Sequence, residues 1–302
     1  MDIRQLQMFL AVAEESSFTR AGERLHVSQS AISRQIGLLE KELGGPLFHR
    51  DGRRVSLTQP GELLLETAYN VSRELEDVAG QISEVHGLLR GRLHLAGGMT
   101  VCMYILPRLL KAYRGLHGQV DLRVSTGTFE AILKKLRSHE VDLALLTLPV
   151  VAKDLEILPV LNEELVVVTA PRHPLARRGT VDAQELGKYP LVLYEPGSNT
   201  REAVERFLRE ERVAADVAME TENVEIIKAM VASGTGITVI SHAAIAPELK
   251  QKRLAFARIR GRKLYRETGW VYRKADYVPR AITEMLRVFD SMRGEFTEPA
   301  LR

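Results

Sequence analysis

Cysteine is almost absent from this chain, with Cys102 the only one in 302 residues. That excludes an internal disulfide, a multi-cysteine zinc site and a two-cysteine redox switch, and it fits a reducing compartment. Long hydrophobic runs are missing as well. No stretch approaches the roughly 20 apolar residues that a bilayer span needs. The start, MDIRQLQMFLAVAEESS, lacks a basic leader and puts Glu14 and Glu15 where a cleavage site would fall. A cytoplasmic location with no membrane partner is the expectation. Charge of one sign is scarce: 42 Lys and Arg face 39 Asp and Glu, a net of +3, too mild to announce nucleic acid by itself. The eight histidines are scattered, with no pair at i, i+4 and no carboxylate motif beside them, so no metal is expected. EPGSNT is not a G-x-S-x-G elbow, and GTGITV follows a helix rather than a strand and lacks the third glycine of a dinucleotide fingerprint. The chain is expected to be no enzyme and to need no cofactor.

What is present is enough apolar material, 45% of residues, for two domains rather than one. Ile3, Leu6, Phe9, Leu10 and Ala13 recur at helical spacing and predict a first helix ending near Glu15. Ser17 is positioned to cap a short second helix, FTRAGERL, and Ser28 a third that runs to Leu43 and is closed by Gly44 and Gly45. On this third helix Ile32, Ile36, Leu39 and Leu43 form one stripe; Ser30, Ser33, Arg34, Gly37 and Lys41 form the other, with Gln29 at the exposed start. PLFHRDGRRVSLT then reads as a hairpin whose basic residues are Arg50, Arg53 and Arg54. Helix, turn, helix and basic hairpin describe a winged helix-turn-helix, which places the start of its second helix in the major groove and its wing on phosphate or in the minor groove.

Residues 1–60 resemble the DNA-binding domain of LysR-type transcriptional regulators, through FLAVAEESSFTRAGERLHVSQSAISRQIGLLEKELGGPLFHR followed by VSLTQPGELLL. Pro60 departs from the alanine that usually precedes Gly61 in the family, a mild change in a first helical turn. The resemblance implies that Gln29, Ser30, Ser33 and Arg34 read bases or face the groove, and that Arg50, Arg53 and Arg54 contact backbone or minor groove.

From Thr58, a candidate N-cap, a helical pattern runs to about Leu89. Leu64, Ala68, Val71, Leu75, Val78, Ile82, Val85 and Leu89 alternate at spacings of 4 and 3, a complete a/d register. A helix from 59 to 89 would be roughly 45 Å long at 1.5 Å per residue, too long for a sixty-residue head to cover. It is read as a coiled-coil dimer helix, with an ordinary core-facing helix as the other reading. Two heads on one duplex imply double-stranded DNA with an imperfect inverted repeat. The family resemblance adds that two such homodimers join into a homotetramer.

GLLRGRLHLAGG marks a boundary, after which strands and helices alternate, as in an α/β domain with a largely parallel sheet. Helices are expected over about 105–117, 129–138, 200–211, 224–233 and 279–292. The family's effector domain implies two Rossmann-like subdomains, periplasmic-binding-protein-like, with crossovers near Asn162 and Glu267. The expected organisation is α+β and multi-domain: a winged helix-turn-helix over 1–58, a linker helix over 59–90, and an effector domain over 91–302, divided into 91–162 with 268–302 and 163–267. Ligands in such sheets lie beyond the strand carboxyl ends, against helix N-termini. The loops GGMTVC, TGTFE and EPGSNTRE meet that description and supply Thr100, Thr128, Ser198, Asn199, Thr200 and Arg201 as effector-binding candidates for a small anionic metabolite. Arg201 has a second use, because Glu205 stands four residues on. Cys102, beside this pocket, reads as a small buried hydrophobe. The rival to an effector-controlled regulator is a small-molecule-binding protein or enzyme whose N-terminal helices serve only oligomerisation; the arginine cluster weighs against it.

Overall fold

The computed structural model describes residues 1–51, 54–85, 89–275 and 277–296; the side chains of Arg50, Asp51, Arg54, Glu76, Asp77, Gln81, Ser83, Glu84 and Val85 lie outside the description. The chain divides into two units, Met1–Leu89 with Arg137–Glu140, and Arg90–Leu136 with Val141–Arg302. Among the described residues, no helix is long and apolar enough to cross a membrane.

The first unit begins with α1 (Ile3–Glu15), α2 (Phe18–Leu25) and α3 (Gln29–Leu43). Each start has its cap: Asp2 and Gln5 close a capping box on α1, Ser17 accepts from the Arg20 amide at 3.3 Å, and Ser28 accepts from the Ala31 amide at 3.2 Å. Helix α3 stops at Gly44, whose φ of 83° is the left-handed conformation glycine adopts without cost. The wing is an antiparallel pair, β1 (Phe48–Asp51) and β2 (Arg54–Leu57), registered from Phe48 opposite Leu57 to Asp51 opposite Arg54. Thr58 then caps α4 (Gln59–Val85): its hydroxyl donates to the Pro46 carbonyl at 2.6 Å and accepts from the Gly61 amide at 3.1 Å. Gly61 lies so close to the preceding segment that a Cβ there would stand 2.2 Å from the Leu47 carbonyl oxygen. Phe9, Ala21, Ile32, Ile36, Leu39, Leu47 and Phe48 form the core of the head.

The expected helix to Leu89 is observed to Val85; residues 86–88 lie outside the description, and Leu89 is not helical. The heptad stripe also divides. Ala68 is fully buried in the head's own core, with Leu64 and Val71 packed against it, whereas Leu75, Val78 and Ile82 are 44%, 53% and 58% exposed. The first three positions therefore belong to the chain's own packing, and among the described side chains the following three present a bare apolar seam.

The second unit contains β3 (Gly91–Gly97), α5 (Met99–Tyr104), α6 (Leu106–Leu116), β4 (Val120–Thr126), α7 (Phe129–Arg137), β5 (Leu143–Thr147) and β6 (Leu155–Thr169). There follow β7 (Thr180–Val181), α8 (Ala183–Leu186), β8 (Leu191–Leu193), α9 (Asn199–Glu210), β9 (Val217–Glu220), α10 (Val224–Ala232) and β10 (Thr238–Ser241). A 3-10 turn (His242–Ile245), α11 (Ala246–Lys250), β11 (Ala255–Ile259), β12 (Leu264–Arg273) and α12 (Arg280–Phe296) complete it.

The main sheet has the order β4-β3-β5-β12-β6-β11-β7, with β10 also on β6. Two long strands, β6 and β12, pair antiparallel along their length, with Glu267 opposite Asn162 and Arg266 opposite Glu163. They join two lobes. Around Ile132, Ala144, Leu146 and Val271 lies the core of lobe I; lobe II packs on both faces of its sheet, around Val167, Phe207 and Val239 and around Val168, Ile227 and Ile240. The largely parallel sheet expected above is corrected to a mixed one. Strand pairs β3–β4, β3–β5, β8–β9 and β7–β11 are parallel, but every pairing of β6, and that of β12 with β5, is antiparallel, because the chain passes through both lobes on strands that run against their neighbours. The helix expected over 105–117 is α6, preceded by the separate short α5.

Candidate functional site

On the head, Gln29 and Ser30 open α3 and are exposed, Ser33 is half-buried one turn on, and Arg34 is exposed. Arg34 forms no ion pair among the described residues. Ser30 shares a hydrogen bond of 3.0 Å with Ser28, so the cap region is ordered by its own hydroxyls. Arg53 lies outside the described residues, as do the side chains of Arg50 and Arg54; their backbone belongs to β1 and β2. The described polar face is free to meet a duplex, while the opposite face of the same helix is sealed by Ile32, Ile36 and Leu39.

Within the second unit a cavity of about 390 Å³ opens at the carboxyl ends of β3, β4, β5 and β8, where open α/β sheets hold their ligands. Thr100, Thr128, Ser198, Asn199 and Thr200 all line it. Neither Gly98 before α5 nor Ser198 before α9 makes a side-chain cap bond, so the first amides of both helices are left for another acceptor. At α7 the Thr128 hydroxyl accepts from the Ala131 amide at 3.4 Å. Asn199 spends its side-chain N–H groups across the cavity, on the Thr147 carbonyl and, at 3.2 Å, on that of Pro149. Away from the mouth, the Tyr104 hydroxyl donates to Glu225 and accepts from Lys228 at 2.5 Å, and Lys228 reaches Glu248 at 3.0 Å. Burial, helped by Glu225, pushes the Tyr104 phenol up to about 12.

Arg201 does not line the cavity. Its Nε lies 2.7 Å from Glu205 and its Nη1 is 2.9 Å from Glu220 and 2.7 Å from the Tyr194 carbonyl. Two carboxylates and a carbonyl claim the guanidinium inside lobe II, so its assignment to the effector is corrected to a structural one, and the i, i+4 partner Glu205 was the signal.

The cation in the cavity wall is instead Arg266, on β12. Its Nε and Nη2 donate to the two oxygens of Glu163 at 2.9 and 3.2 Å, and its Nη1 donates to the Thr200 hydroxyl at 3.0 Å. Ser241 and Thr268 donate to the same carboxylate at 2.8 and 3.1 Å. Burial pushes the Glu163 carboxyl up, but Arg266 and the two hydroxyls outweigh it and hold the group below the usual carboxylate range. The only trace of this pair in the sequence is charge inside two strand-like segments, Glu163 in LNEELVVV and Arg266 in LYRETGWVY. At the mouth stand Glu130, Glu195 and Glu222, so the lining is not basic overall. Tyr194 and Thr147 complete the polar surface. No group of histidine, cysteine or acidic side chains among the described residues has the arrangement of a metal site.

The family model described as the LysR substrate binding domain matches residues 86–293, and that described as the bacterial regulatory helix-turn-helix protein, lysR family, matches residues 3–62. A RuBisCO operon transcriptional regulator of Allochromatium vinosum is 34% identical over 274 residues, covering 91% of this chain and 90% of the relative. Among solved structures, a full-length OxyR variant from Pseudomonas aeruginosa superposes with a TM-score of 0.77 at 26% identity, over 95% of this chain and 94% of that one. The regulatory domain of CcmR from Synechocystis PCC6803, in complex with 2-PG, gives a TM-score of 0.64 at 25% identity, over 69% of this chain and all of that one. With a winged helix-turn-helix in the head, a ligand-sized cleft between two lobes and both family patterns in sequence, the chain belongs to the LysR family of DNA-binding transcriptional regulators with an effector-binding domain.

Proposed function

We propose that this regulator acts in the cytoplasm as a homodimer, two of which join into a homotetramer, on an imperfect inverted repeat of double-stranded DNA, under the control of a small metabolite carrying an acidic group. Residues 1–58 read the DNA, 59–90 pair two chains, and 91–302 respond to the effector as two subdomains, 91–162 with 268–302 and 163–267. Gln29, Ser30, Ser33 and Arg34 face the bases, and Arg50, Arg53 and Arg54 hold phosphate or the minor groove. Leu75, Val78 and Ile82 carry the seam between protomers. Thr100, Thr128, Ser198, Asn199 and Thr200 hold the effector, whose closure of the lobes alters how the dimers pack and so how the bound DNA is spaced or bent.

The observation that carries this reading is the exposure of Gln29, Ser30 and Arg34 on a helix whose other face is fully packed. The uncapped amides of α9 support the acidic group, and the 2-PG complex of the CcmR domain supports a small-molecule effector. The test is fluorescence anisotropy of the full chain on the duplex upstream of its own gene against a scrambled duplex, over a salt series. A specific site should bind about 10³-fold or more tightly, with a salt slope that counts phosphates. Equal weak binding to every duplex recovered from a genome-wide selection would sink the reading.

A further inference from the structure

The long strands β6 and β12 carry the chain between the lobes, and their register shifts between Thr268 and Gly269, beside the crossover. Such an irregularity bends a strand, and two strands are a narrow joint about which packed bodies can turn. Away from that joint, one side chain of lobe I is held inside lobe II. Tyr104 ends α5, and it packs against the lobe II core of Val168, Ile227 and Ile240. Its hydroxyl donates to Glu225 and accepts from Lys228 at 2.5 Å, both on α10. The same ammonium stands 5.1 Å from the centre of its ring.

Lys228 is 4% exposed, and an ammonium has three protons to give. It gives them to Tyr104, to the Ala244 carbonyl at 3.1 Å and to Glu248 at 3.0 Å. A further acceptor is close by: a Glu225 oxygen lies 2.8 Å from Nζ as an ion-pair partner, on the same helix and so in the same lobe. Burial works against the Lys228 charge, but its partners outweigh it and hold the group above the ordinary lysine range. Taking a partner away from a buried charge is ordinarily costly, because the charge is left unpaired. Here it is not. If Tyr104 withdraws with lobe I, its hydroxyl passes to water, and Lys228 turns the released proton to Glu225 while keeping Ala244 and Glu248, all within lobe II.

We propose that Tyr104, with Glu225 and Lys228, is a releasable clasp that holds lobe I against lobe II and opens without stranding a buried charge, so that the chain's own side chains set how far the lobes close. None of the three lines the cleft, whereas Thr100 and Val101, at the other end of α5, do. The clasp therefore acts on a cleft ligand through the position of the lobes rather than by contact. A ligand that binds the closed form loses apparent affinity in proportion to the closed fraction. The inference rests on the lobe movement in the proposed effector response, and needs neither the effector's identity nor the operator.

The test is pulsed electron paramagnetic resonance between spin labels at Arg114 in lobe I and Arg212 in lobe II, both exposed. The full chain carries Cys102→Ala throughout, and labelled protein is diluted into excess unlabelled protein so that distances within one chain are read. This parent is expected to show one dominant distance. Tyr104→Phe keeps the ring over Lys228 and removes only the hydroxyl; it should raise the fraction at other distances several-fold, with a melting temperature within about 3 °C of the parent. Glu225→Met removes the reserve acceptor, so combining it with Tyr104→Phe should lower the melting temperature by more than the sum of the two single changes. A distance distribution in Tyr104→Phe that matches the parent overturns the clasp. So does a fall of about 10 °C or more in that variant, which would mean that a charge had been stranded, and so does strict additivity of the two changes. If Tyr104→Phe does not fold, Glu225→Met decides by itself, since it takes away the acceptor of the Tyr104 proton: the other distances should again gain, and an unchanged distribution overturns the proposal. Failure on any of these counts leaves the DNA reading standing, because the duplex titrations do not depend on the clasp.

Discussion

The lone cysteine shows how far a single side chain's surroundings set its chemistry. The Cys102 thiol is half-buried, donates to the Gly97 carbonyl at 3.4 Å, and has its pKa pushed up to about 11 by burial. The thiolate is the reacting form, and a group raised from about 9 to about 11 has about a hundred-fold less of it at pH 8. Native protein should therefore be alkylated by iodoacetamide about a hundred-fold more slowly than the denatured chain at that pH, the rate rising as pH approaches 11. Mass spectrometry of the time course reads this directly, and comparable native and denatured rates would refute it. Arg201 is the second case. Because Glu205, Glu220 and the Tyr194 carbonyl hold it, Arg201→Gln should cost about 1–3 kcal/mol of stability, kept modest by the partly exposed glutamates. Calorimetry should show a melting temperature several degrees lower, while effector affinity changes less than about two-fold; a large loss of affinity in a fully stable variant would return Arg201 to the binding site.

Among the elements, α4 carries the clearest expectation. At about 1.5 Å per residue its 27 residues span roughly 40 Å, and the head covers only the part near Leu64, Ala68 and Val71. The exposed Val78 lies mid-seam, so Val78→Glu should shift the chain from dimer toward monomer in sedimentation while the far-ultraviolet helical signal is retained. An unchanged dimer would place the interface elsewhere. What the sequence could and could not show follows the same line. Caps at Ser17, Ser28 and Thr58 and the stripe of α3 are local, and were legible. A heptad stripe records that a face is apolar, not whose apolar face covers it, so the division of α4 was not legible. Helix α5 was hidden because Gly97 and Gly98 precede it and its start reads as loop. Strand β9 pairs only with β8 among the described residues, and its four residues carry too little pattern to stand out. The pocket threonines were found from their place after strands, whereas Arg266 depends on Glu163, 103 residues away, a partnership that only the register of β6 against β12 creates.

At the scale of the whole assembly, the two-headed reading turns one residue into a measurable difference in operator binding. A dimer on an inverted repeat uses each α3 once per half-site, so Arg34→Ala removes two side chains at a time. If Arg34 pairs with a base edge, each loss is worth about 1–3 kcal/mol, and specific binding should fall by about 30-fold or more while nonspecific binding changes little. If it grips phosphate instead, binding to all sequences should weaken together, and the slope of log K against log salt should flatten by about one for each phosphate no longer held. Anisotropy titrations on specific and scrambled duplexes at several salt concentrations separate these outcomes. Sedimentation of the same variant guards against the trivial cause, since Arg34 is an exposed residue of α3 and not part of the apolar seam on α4, and its loss should leave the dimer intact. A dimeric Arg34→Ala protein with unaltered affinity and salt slope would mean that the exposed face of α3 is not the reading surface, and that the rival reading, in which the N-terminal helices serve only to join chains, has to be taken up.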